Sequence, residues 1–193
     1  TADDLFRNNR GRGGVEALGV EHMKPFITRG VLVDIAGYKG VDTLPAAYAV
    51  TIEDMRGALE RQGMSEDDIG QGDAVFFNYG WAANWGNPSK YNDSYIGTGE
   101  NEGSPGIYAD ISRFLVSRKI SLVGADSCCV EVRPRPGTDN VHRILFLGEG
   151  IAMLENMELR ELAADEVYEF LFIGLPERIK GATGSPMRPI AVR

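Results

Sequence analysis

Val31-Leu32-Val33-Asp34-Ile35, closed shortly afterwards by Gly37, is the run on which the fold turns. A short β-branched stretch ended by a glycine predicts a buried strand. Ala74-Val75-Phe76-Phe77 predicts a second, and Ile120–Ala125 a third. Ile151–Leu154 and Tyr168–Leu175 are two more strong apolar runs, and Arg188–Val192 adds an edge strand. Helical signals fall between them. Thr51 with Asp54 reads as a capping box, Ile52, Met55, Ala58 and Leu59 recur at helical spacing, and Gly63 supplies the stop. Ser104-Pro105 predicts the cap of a second helix with Ile107, Ile111, Phe114 and Leu115 on one face. Asn156 predicts the cap of a short helical turn running through Leu162. Strands alternating with helices predict an α/β domain whose sheet is at least partly parallel.

The chain has 193 residues, of which 43% are hydrophobic and 25% charged, so a single ordinary globular domain over 1–193 is expected. Its formal net charge of −8 argues against a nucleic-acid surface. No apolar run approaches the ~20 residues of a membrane span, and no secretory leader is visible. The two cysteines, Cys128 and Cys129, are adjacent. Neighbours on a strand point to opposite faces, which argues against a mutual disulfide. A buried structural role for at least one of them, in a reducing cytoplasm, is expected. Residues 1–29 show little periodicity, and Arg7–Gly14 is polar throughout. That and the absence of an initial Met predict a domain that is N-terminally incomplete. Residues 78–106 read as one long loop rich in Gly and Asn, carrying Tyr79, Trp81, Trp85, Tyr91 and Tyr95. Such aromatics wall a ligand pocket, or equally cover an interface or a satellite core.

Candidate chemistry sits in few residues. His22 and His142 are the only histidines. His142 follows the turn-rich stretch 133–140 and heads an apolar segment ending at Glu155. A histidine and a carboxylate at one end of a sheet can hold a divalent metal or share a proton; the competing reading is a hydrogen-bonded structural histidine. Asp126 and Ser127 lie just past the third strand, where open α/β sheets place their sites. The competing reading there is a turn carboxylate accepting backbone N–H bonds. One histidine with scattered carboxylates is incomplete for tight zinc binding.

Several stretches carry a resemblance. They are Leu18-Gly19-Val20-Glu21-His22-Met23, Thr28–Ala36, Gly40-Val41-Asp42-Thr43-Leu44-Pro45, Gly124-Ala125-Asp126-Ser127, His142 to Glu155-Asn156, and Lys180–Pro189. In this order and combination they resemble the cyclase family of metal-dependent hydrolases, which includes bacterial kynurenine formamidase and isatin hydrolase. The resemblance covers residues 15–193 and implies a swivelling β/α/β cyclase-like domain with a mixed sheet. It implies hydrolysis of a cyclic or acyclic amide or ester by a metal-activated water, with Zn or Mn as the metal.

Family members carry a His-x-Gly-Thr-His-x-Asp motif that is absent here. The resemblance therefore implies that this chain is a C-terminal part, inactive alone. The alternative is a non-catalytic cyclase-fold binding or structural subunit. The matched positions make His142 and Glu155 metal ligands, with His142 also catalytic. They make Asp126, Ser127 and Glu131 supports, and Trp81, Trp85 and Tyr79 walls of a small-molecule substrate pocket. His142 and Glu155 are expected to approach one another. A homo-oligomer is expected, with a separate N-terminal fragment as a further partner, and neither nucleic acid nor membrane.

Overall fold

The computed structural model describes residues 14–15, 18–91 and 103–193. The polar stretch up to Gly13, Tyr95 and the rest of 92–102 lie outside the described residues. The chain divides into a larger unit, Arg29–Phe170, and a smaller one made of Thr1–Thr28 with Leu171–Arg193.

The elements follow the apolar runs. β1 (Phe26–Asp34) ends in five consecutive buried residues. α1 (Ile35–Lys39) follows without a break, so Ile35 begins a helix instead of ending the strand. The cause is Asp34, whose side chain accepts from Gly37 N at 3.0 Å and caps the turn. After β2 (Ala49–Val50) comes α2 (Ile52–Arg61). Its capping box is formed as expected: Asp54 N donates to Thr51 Oγ1 at 3.1 Å, and Thr51 N to Asp54 Oδ2 at 3.2 Å. All of β3 (Ala74–Asn78) is buried.

β4 (Gly106–Ile107) and α3 (Ala109–Arg118) correct the expected second helix. Ser104 is no cap. Its main chain pairs in both directions with Arg133, at 2.9 and 3.0 Å, and Ile107 pairs with Val130 and Val132. Backbone groups committed to a ladder cannot enter a helix, so α3 starts only after Tyr108. β5 (Leu122–Ala125) and β6 (Ala152–Leu154) match their apolar runs. Between them Arg143–Gly148 form a π-helical segment that no periodicity announced. Asn156 is not a helix cap. It is left-handed, with φ 59°, and α4 (Arg160–Ala164) starts later.

In the larger unit β1, β3, β5 and β6 are parallel, in the order β6-β5-β3-β1. One row across them is Val31, Val75, Val123 and Met153. Parallel strands are covered on both faces, which explains why they read as unbroken apolar runs. β2 and β4 form a separate parallel pair. α2, α3 and the π-helical segment contribute Met55, Leu59, Ile111, Leu115 and Leu145 to one hydrophobic cluster.

β7 (Glu169–Gly174) begins at the end of the larger unit and continues in the smaller one. There it pairs antiparallel with β8 (Ile190–Val192), the edge strand expected at the tail. Elsewhere in the smaller unit Val20 N donates to Ala182 O at 2.8 Å, and Gly181 N to Glu21 Oε1 at 2.9 Å. The result is the α/β architecture with both strand directions that the sequence implied. Among the described residues no helix is long and apolar enough to cross a membrane.

Candidate active site

The site is built outward from His142. This residue stands immediately before the π-helical segment, and Glu155 follows the last residue of β6. π-Helical turns recur at functional sites because the extra residue re-aims side chains. Here His142 Nε2 lies 3.3 Å from Glu155 Oε1, so the fold brings the two residues together. On its other side His142 Nδ1 lies 3.4 Å from Glu131 Oε1.

Glu131 is fully buried and is the best anchored member of this trio. Val141 N donates to its Oε2 at 2.9 Å, and Arg133 Nη2 reaches its Oε1 at 2.8 Å. The main chain of β4 passes directly against it. A Cβ at Gly106 would lie 2.3 Å from Glu131 C, so only glycine fits there. Burial alone pushes the Glu131 carboxyl up, but the facing His142, Arg133 and the Val141 N–H outweigh it and hold it below the usual carboxylate range. His142 is raised to about 9 by Glu131 first and Glu155 second, against the opposing effect of burial. Sequence reasoning placed Glu131 only as a support. The available signal was the alternation Val130-Glu131-Val132-Arg133, which puts the Glu and the Arg on one side of an extended run.

Asp126 is buried and accepts from Tyr79 N at 2.9 Å and Ala82 N at 3.2 Å. This is the backbone-accepting turn carboxylate of the competing reading. Burial pushes it up to about 7, with the N–H donors opposing. Ser127 is also fully buried, and its carbonyl accepts from Asn156 N at 3.0 Å. Tyr79 and Trp81 lie in the main hydrophobic cluster, and the Tyr79 hydroxyl donates to Val130 O at 3.2 Å. Trp85 is 64% exposed and meets Tyr91 edge-on at 5.0 Å. The Tyr91 hydroxyl donates to Asn156 Oδ1 at 2.9 Å, beside Glu155. His22 is solvent-facing, 3.9 Å from Glu21, within the smaller unit.

Cys128 and Cys129 are both thiols, and Cys129 is buried as expected. The strand-alternation argument does not apply to them, because residues 126–130 form a continuous bend. The two sulfurs come to 2.9 Å of each other. Contact with Cys128, and then burial, push the Cys129 thiol well above its ordinary value.

The donor set suits a borderline divalent ion in part. Ligand bonds of about 2.0–2.2 Å from His nitrogen and Glu oxygen put adjacent donors a little over 3 Å apart, the spacing of His142 Nε2 and Glu155 Oε1. A carboxylate on the opposite imidazole nitrogen is the usual companion of a ligating histidine, and Glu131 stands there. Among the described residues no group of three or more His, Cys, Asp or Glu converges as a complete ligand set.

The fold is shared with several solved structures. The chain is similar to a structure described as a novel cyclase, with 32% identity and a TM-score of 0.80 over 99% of this chain and 62% of that one. It shares the fold of isatin hydrolase A from Ralstonia solanacearum, at 18% identity and a TM-score of 0.69, covering 95% of this chain and 66% of that one. A structure described as a potential metal-dependent hydrolase with cyclase activity aligns at 16% identity and a TM-score of 0.55, over 86% of this chain and 65% of that one. The chain thus spans less than two thirds of the length of each. No curated protein matches it. The Cyclase family model, described as "Putative cyclase", matches residues 10–132. The chain belongs to the cyclase family.

Proposed function

We propose that this chain is the C-terminal part of a metal-dependent hydrolase acting on a cyclic or acyclic amide or ester. His142 and Glu155 supply two of the donors for Zn or Mn, and the remaining ligands lie outside the described residues. The observation that carries this reading is the 3.3 Å approach of His142 Nε2 to Glu155 Oε1, with Glu131 facing Nδ1. A bound ion of this kind supplies a water acidified towards neutrality and an electrophile for the carbonyl.

The chain's own residues do the rest. Glu131 holds the proton on Nδ1 and leaves Nε2 as the donor atom. Arg133 balances the buried charge of Glu131, so the imidazole keeps one orientation. The edge-on pair Trp85 and Tyr91, tied by Asn156 to the Glu155 end, offers an aromatic wall for a small substrate. Trp81 Nε1, Asn84 Nδ2 and Ser127 Oγ are buried with no hydrogen-bond partner among the described residues, on the two loops that Asp126 joins. Buried polar groups left open in this way suit a polar small molecule. Alone the chain is expected to turn over no amide or ester. It works as a homo-oligomer, with a separate N-terminal fragment as a further partner, in a reducing cytoplasm.

Equilibrium dialysis against Zn and Mn tests this. The chain should take up one ion, and H142A and E155Q should each weaken uptake tenfold or more. Equal uptake by all three would overturn the reading. A second reading, a non-catalytic cyclase-fold binding or structural subunit, is favoured by one feature. Both imidazole nitrogens already face carboxylates, so the trio is also complete as an ion network. Failure of the wild-type chain to take up either ion would select it.

A further inference from the structure

The vicinal thiols take no part in the chemistry above. Their sulfurs are 2.9 Å apart, and a disulfide bond is about 2.05 Å long, so less than an ångström of approach joins them. The bend over residues 126–130 puts both side chains on one side, and the left-handed Val130, with φ 54°, turns the chain just after the pair. Cys128 is half-buried and Cys129 buried, so the two sulfurs differ in their access to solvent.

We propose that Cys128 and Cys129 form a reversible dithiol–disulfide modification site, closed by a peroxide and reopened by a small thiol reductant. The Cys128 sulfur, the more accessible, attacks one peroxide oxygen. The O–O bond breaks, Cys128 becomes a sulfenic acid, and one water leaves. The Cys129 sulfur then attacks Cys128 Sγ, the S–O bond breaks, and the hydroxyl leaves with the Cys129 proton as a second water. Two electrons pass from the sulfurs to the peroxide. Neighbouring Cα atoms across a trans peptide lie about 3.80 Å apart, shorter than the usual ~4.4–6.8 Å of a disulfide. A bridge closed between them is strained, and strained bridges are the readily reduced, regulatory kind. Arg133 faces both Cys129 and Glu131, so closure acts on a neighbour of His142.

The test treats the reduced full chain with hydrogen peroxide, blocks remaining thiols with N-ethylmaleimide and measures intact mass without reductant. The expected product is a monomer lighter by two hydrogens that takes up no maleimide, and dithiothreitol should restore two maleimide additions. Neither C128S nor C129S should show such a loss, and C129S, which keeps the more accessible Cys128, should instead yield a sulfenic acid trapped by dimedone. Two maleimide additions after excess peroxide, interchain dimers, or sulfinic and sulfonic acids without the two-hydrogen loss would each overturn the proposal. The wild-type measurement decides by itself if a variant fails to fold.

Discussion

Asp126 is a carboxyl whose burial works against its charge. Its value in the folded chain is about 7, against about 3.9 for an unfolded Asp. A raised folded value means the folded state holds the proton more tightly. The stability this gives is therefore complete below about pH 4 and lost as pH rises to about 7. Urea midpoints should fall across that window, and D126N, which cannot ionise, should flatten the fall. An unchanged slope would contradict the role of burial. The His142 trio follows two signs at once. His142 is raised to about 9, so its contribution is present below about 6.5 and disappears as pH climbs through 9. Glu131 is lowered, so its contribution is present above the ordinary carboxylate value and is lost in acid. The difference in stability between the wild type and H142Q should accordingly peak between these limits, read from denaturant titrations at stepped pH.

At the scale of elements, the N-terminal cap of α2 is a local device with a local cost. T51A removes the acceptor of Asp54 N and is expected to cost about 1 kcal/mol, lowering Tm by about 2–4 °C in calorimetry. Gly106 is the opposite case, a position in β4 whose effect is felt elsewhere. A Cβ there meets the backbone at Glu131, so G106A should displace Glu131. His142 should then titrate closer to its ordinary value in an NMR titration, while T51A leaves it near 9. Elements governed by neighbours in sequence are legible without a structure: the capping box, the apolar parallel strands and the tail strand β8. Those decided by distant partners are not. Ser104 looks like a cap until its main chain is found paired with Arg133. The π-helical segment leaves no periodic signature. The site divides the same way. His142 and Glu155 are marked by the ends of their own segments and by family likeness, whereas the burial of Glu131 depends on β4 and on Val141, which spacing does not reveal.

For the whole molecule, slowest hydrogen exchange is expected at β3, which is flanked by β1 and β5 and buried along its full length. Faster exchange there than in β6 would contradict this. The larger unit exposes Phe146, Leu147 and Trp85, apolar surface of the kind that subunit contacts cover. Sedimentation is expected to give a species heavier than the 21.1 kDa chain, and a single particle of that mass at micromolar concentration would count against an oligomer. The parallel sheet carries one more consequence, in time instead of energy. Gly30 pairs with Ala74, Ala74 with Leu122, and Leu122 with Ala152, so none of these pairings can be made by a hairpin. Each must wait for an intervening segment to close, and loop closure precedes any reward from the contact. Refolding should therefore be slow, on the order of milliseconds to seconds. Until β5 finds its place beside β3, the chain from Ile107 onward carries its apolar runs uncovered, which makes the nascent or refolding chain most exposed to aggregation at that stage.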